Sequence, residues 1–64
     1  MSNTTEQYDI DAEQFYNMAE KIGINPTERE EDLFCVLVCD MIKAGKERHT
    51  AYREAFSRVL HVLP

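Results

Sequence analysis

The sequence predicts an all-α domain in which a short first helix packs on an antiparallel helical hairpin. Three observations carry that expectation. Apolar residues recur at the 3.6-residue period in separate stretches. Gly23, Asn25-Pro26 and Gly45 punctuate the chain where helices would stop and restart. The β-branched Val36, Val38 and Ile42 sit in a stretch too long, and too clearly ended at both sides, for a strand.

Residues 1–8 read as a flexible leader and residues 9–64 as a single helical domain. The first helix is expected from Ala12 to Ile22. Asp11 stands where a side chain caps free amides, with Gln14 three residues on and Ile10 and Phe15 at the positions of a hydrophobic staple. Ala12, Phe15, Tyr16, Ala19 and Ile22 form its apolar stripe. Gly23 suits the left-handed residue that ends a helix, and Ile24 can fold back on the last turn.

The second helix has two possible starts. Asn25 can cap with Pro26 at the first helical position, or Thr27 can cap with Glu30 completing a capping box. Glu28, Glu30, Glu31 and Asp32 crowd the first turns, where the helix dipole favours them. The helix should run to about Ala44, with Lys43 in the last turn and Gly45 as terminator. The third begins between Lys46 and Thr50 and reaches about Leu63, with Tyr52, Ala55, Phe56, Val59, Leu60 and Leu63 as its stripe.

Composition narrows the function. A chain of 64 residues is one domain at most. It buries only about 60% of the surface its unfolded form exposes, so it gains from further burial. The net charge of −5 argues against general binding to nucleic-acid backbones. Residues 1–32 hold nine acids against Lys21 and Arg29, a net of −7; residues 33–64 hold three acids against five bases, a net of +2. Neither a basic start nor an apolar run marks the N-terminus, and no stretch approaches a membrane span. A soluble cytoplasmic protein without cofactor or metal is expected, in the host cytoplasm if the chain is viral.

The segment Leu33-Phe34-Cys35-Val36-Leu37-Val38-Cys39 is apolar around the whole circumference of a helix. Two companion helices of ordinary size cannot enclose it. Leu33, Phe34, Val36, Leu37 and Val38, with the neighbouring Glu30, Glu31 and Asp32, are therefore the expected surface for a protein partner or a homo-oligomer. Cys35 and Cys39 lie one turn apart, about 6 Å between Cβ atoms, too far for a relaxed disulfide. Two cysteines without a further ligand pair do not make a structural zinc site, so they read as small hydrophobes.

A second candidate site is the hairpin turn. Lys43, Lys46, Arg48, His49, Thr50 and Arg53 surround a helix N-terminus, where free amides can hold a small anion such as a nucleotide phosphate. The plainer reading is that these bases complement a helix end and pair with Glu47 and Glu54. A helix–turn–helix DNA reader is a third possibility, opposed by the acidic balance. Tyr16 and Tyr52 fall on apolar stripes and are expected in the core, whereas Tyr8 is placed to contact something else. No nucleophile elbow, phosphate loop or paired catalytic carboxylates is present, so an enzyme is not expected.

Glu31-Asp32-Leu33 before an apolar run, the basic turn, and the closing Val59-Leu60-His61-Val62-Leu63 resemble the helical hairpin of phage proteins that sequester cyclic oligonucleotide signals of bacterial immunity. The likeness spans about half the chain, shares no specific motif, and has a shorter turn. It implies nucleotide capture at the turn. The residues themselves, beside the analogy of small acidic phage proteins aimed at host machinery, favour a non-enzymatic inhibitor or adaptor.

Overall fold

The computed structural model describes the backbone of residues 3–61 and the side chains of residues 7–61. Three helices follow one another: α1 (Asn3–Lys21), α2 (Glu28–Lys43) and α3 (Arg48–Leu60). The most extensive packing is between α2 and α3, and α1 packs on both, giving the expected three-helix domain. Among the described residues there is no strand.

The helix ends follow local chemistry. Lys21 is the last residue of α1, and Gly23 beyond it takes φ +77°. The Gly23 N–H donates to the Glu20 carbonyl and the Ile24 N–H to the Ala19 carbonyl, the paired bonds of a Schellman motif. The end of α2 repeats the arrangement: Gly45 has φ +99°, its N–H donates to Ile42, and the Lys46 N–H donates to Met41. Only glycine adopts these angles without a Cβ penalty. Of the two starts open for α2, the chain uses Thr27. Its hydroxyl accepts from the Glu30 N–H at 3.2 Å, and the Glu30 carboxylate accepts from the Thr27 N–H at 2.8 Å.

Helix α1 departs from expectation at its start. It begins at Asn3, so described residues that were expected to be leader are helical. Nothing between Thr4 and Tyr8 breaks a helix, and Asp11 does not cap it. Asp11 lies mid-helix and is 4% exposed. At nineteen residues α1 is the longest helix rather than a short one. The staple is absent as well: Phe15 is buried, but Ile10 is 54% exposed. At the other end of the chain, α3 stops at Leu60, where His61 turns left-handed at φ 57°. Leu63 lies outside the described residues.

The core is built on aromatic rings. Phe15 and Phe34 are fully buried and stack at 4.6 Å between centroids. Phe56 meets Phe15 edge-on at 5.8 Å, and Tyr52 stacks on Phe34 at 5.9 Å. Ala19, Ala51 and Ala55 are also fully buried, and their small side chains let the helices approach around the rings. Burying each large ring contributes on the order of 2–3 kcal/mol. Tyr16 and Ile22, expected on the apolar stripe, are instead 40% and 52% exposed, because α1 contacts its neighbours over a narrower stripe.

Candidate interaction surface

The apolar run of α2 divides by helical geometry. Phe34, Cys35 and Val38 point into the core, and Leu37 packs partly against it. Leu33 and Val36 point outward, 50% and 56% exposed, and Cys39 is exposed beside them. The five expected contact residues therefore do not form one surface. Phe34 and Val38 are unavailable to a partner because they hold the domain together. Leu33 and Val36 are available, with Leu37 at the margin.

Charged side chains complete this outward face. Arg29, Asp40 and Lys43 are exposed and form no ion pair within the described residues. Together with Leu33 and Val36 they occupy positions 29, 33, 36, 40 and 43. That alternation of four and three residues keeps a row on one side of a helix. The sequence reading singled out Leu33, Val36 and Lys43 but missed Arg29 and Asp40. The four-three spacing was visible; which side of α2 faced water was not.

The acidic residues next to this face are tied to α1. Tyr16 donates its hydroxyl to the Glu31 carboxylate at 2.8 Å, and Tyr8 donates to Asp32. Hydrogen bonding to these carboxylates holds both phenols in the protonated form and raises their pKa. Glu30 is engaged in the capping box. Glu30, Glu31 and Asp32 thus fasten the start of α2, rather than standing as an unattached acidic surface.

The hairpin turn is similarly engaged. Lys46 binds both oxygens of Glu54, at 2.7 and 2.9 Å, and this contact lowers the Glu54 pKa. Arg48 reaches across to Asp11 at 3.1 Å. The same Asp11 oxygen accepts from Tyr52 at 2.7 Å and from Gln7 at 3.1 Å, forming a polar node between α1 and α3. Burial first, then the bond to Asp11, raises the Tyr52 pKa. Of the six turn residues expected around an anion, Lys46 and Arg48 are committed to the fold. Lys43, His49, Thr50 and Arg53 remain exposed. The cap of α3, Glu47, makes no side-chain capping bond.

The two cysteines occupy different environments. Both are unbridged, but Cys35 is buried and Cys39 is exposed. Burial, reinforced by Asp11, Glu31 and Asp32, pushes the Cys35 thiol up to about 12. At neutral pH it is a protonated, poorly nucleophilic thiol. Among the described residues, no three His, Cys, Asp or Glu side chains converge as a metal site would need. No described helix is long and apolar enough to cross a membrane. Among the described residues, one shallow concavity of about 390 Å³ lies between Tyr16 and the Gly23–Pro26 loop. Another of about 280 Å³ lies beside Leu37, Met41 and Glu54.

No protein-family model, curated protein or solved structure matches the chain. Its function must therefore be argued from its own surface.

Proposed function

We propose that this protein is a non-enzymatic helical interaction module that docks on protein through the outward face of α2. The observation that supports this reading is the pair Leu33 and Val36, each at least half exposed and bordered by Arg29, Asp40 and Lys43, none of which forms an ion pair among the described residues. Covering two such side chains contributes on the order of 1–2 kcal/mol in all at the partial exposure involved. The surrounding charges then fix which partner fits and how.

A second reading, capture of a small anion at the hairpin turn, rests on the first turn of α3. Its amides have no side-chain cap, and His49, Thr50 and Arg53 stand exposed around them. This reading is the weaker because Lys46 and Arg48 already hold Glu54 and Asp11.

Native mass spectrometry of the protein purified from cells separates the two. The interaction reading predicts complexes with protein, its own copies included, that disappear in a Leu33→Glu/Val36→Glu variant and survive Arg53→Ala. A monomer carrying an extra mass of nucleotide size, lost on His49→Ala/Arg53→Ala, would replace it with the anion reading.

A further inference from the structure

We propose that the outward face of α2 pairs with the same face of a second copy, antiparallel and in one register: Leu33 over Val36 of the second copy, and Arg29 against Asp40 of the second copy. The proposal rests on the interaction reading above and names its occupant. Three steps lead to it.

The first is spacing. Arg29, Leu33, Val36, Asp40 and Lys43 are all exposed and follow one another by four, three, four and three residues. This is the spacing of a two-helix coiled-coil seam, here with an apolar centre and charged ends, in which Leu33 and Asp40 take one class of seam position and Arg29, Val36 and Lys43 the other. In an antiparallel pair each layer joins one class to the other. Leu33 then meets Val36, and Arg29 meets Asp40, each contact occurring twice through the two-fold axis.

The second step is charge, which eliminates the competing arrangements. Parallel pairing sets Arg29 on Arg29, Asp40 on Asp40 and Lys43 on Lys43. The antiparallel register one heptad further sets Leu33 against Lys43 and Val36 against Asp40 of the second copy, and one heptad back sets Leu33 against Arg29, each covering a charge with an apolar side chain. Only the register that stacks Leu33 on Val36 joins apolar to apolar and opposite charge to opposite charge. It also brings Lys43 toward the acidic first turn of the other α2, where Glu28 lies. Asp32, which flanks the seam, is already held by Tyr8 of its own chain. Arg29 and Asp40 have no ion-pair partner within the described domain, so neither must break a salt bridge to pair across the axis.

The third step is size. The face is one sixteen-residue helix with two large apolar side chains, smaller than the roughly 1,200 Å² typical of stable complexes. The dimer is accordingly weak and salt-sensitive, with exchange between monomer and dimer.

Sedimentation equilibrium on the full chain tests the register by charge exchange. The wild type should approach twice the 7.5 kDa chain mass as its concentration rises toward about 1 mM. Arg29→Asp and Asp40→Arg should each weaken self-association by about tenfold or more, since each places like charges together twice. Mixing these two variants should restore a dimer, because every contact is again between opposite charges. The doubly exchanged Arg29→Asp/Asp40→Arg chain should dimerise by itself. Circular dichroism of each variant confirms that these exposed positions leave the fold intact.

A wild type that stays monomeric throughout, or a dimer indifferent to both single reversals, overturns the proposal. So does failure of the mixed variants to associate. The interaction reading fails separately: it falls if Leu33→Glu/Val36→Glu removes neither self-association nor any complex with protein. If that variant loses a heterologous complex while the wild type is monomeric, the surface stands and the second copy does not.

Discussion

The hairpin turn and the outward face of α2 both carry exposed charge, but the molecule uses it differently. At the turn, Lys46 is held by Glu54, and Arg48 joins Tyr52 and Gln7 on the buried Asp11. On α2, Arg29, Asp40 and Lys43 surround two open apolar side chains and find no ion-pair partner in the described domain. Charges consumed internally explain the fold; charges left beside exposed apolar surface are available to another molecule. A count of basic residues would have ranked the turn first. Pairing reverses the order.

The largest effects separate neighbours within the one apolar run. Phe34→Ala removes a fully buried ring at the centre of the aromatic cluster and should cost about 3–5 kcal/mol. A domain of this size is stable by about 3–10 kcal/mol in total, so chemical denaturation should show the variant losing a third or more of its stability, and unfolded outright if the domain lies at the low end of that range. Val36→Ala, two residues away but facing water, should shift the monomer's stability by less than about 0.5 kcal/mol. A cost for Val36→Ala comparable to that for Phe34→Ala would erase the distinction between the two sides of α2.

Next come the charges. Asp11→Ala deprives Tyr52 and Arg48 of their shared acceptor and should cost about 2 kcal/mol, reduced because Arg48 is partly exposed. Asp40→Ala should be nearly neutral in the monomer. Equal effects in thermal melts would show that the two carboxylates are not used differently after all. At the helix ends, Thr27→Ala breaks the capping box and should cost about 1 kcal/mol. Gly45→Ala places a Cβ at φ +99° and should cost about 1–2 kcal/mol, through strain rather than lack of room.

The smallest effects at neutral pH concern the thiols. A thiol reagent should modify Cys39 quickly and Cys35 only when the chain opens; equal rates would mean the inner face of α2 is not closed. Burial raises the Cys35 pKa in the folded state from 9.0 to about 12. The unfolded chain therefore releases this proton first as pH rises. The contribution is present in full below pH 9 and is progressively lost between 9 and about 12. The raised Tyr52 pKa acts in the same direction. Alkaline melts should show falling stability, and Cys35→Ala should flatten the slope.

Much of the fold was legible because its helix ends are local chemistry. Gly23, Gly45 and the Thr27–Glu30 pair each act through atoms a few residues apart, so sequence spacing could reveal them. The start of α1 was not legible, because Asp11 has the residue type of a cap and serves instead as an acceptor for Arg48 and Tyr52, 37 and 41 residues away. Tyr16 was misplaced for a related reason: an aromatic at helical spacing suits the core, but its hydroxyl reaches Glu31 at the rim. The candidate surface was half legible. The run Leu33–Cys39 announced excess apolar area, yet only packing decides that Phe34 and Val38 belong to the core while Leu33 and Val36 face water.

We propose that the outward face of α2, and not the turn, is the surface this protein uses. Backbone amide chemical shifts, followed by NMR as the wild-type protein is concentrated toward about 1 mM, test it most directly. The account predicts concentration-dependent shifts centred on Arg29, Leu33, Val36 and Asp40, with His49 and Arg53 unmoved. Shifts confined to the hairpin turn would contradict it; no shift anywhere at any concentration would remove the pairing of two copies and leave the face to a different protein.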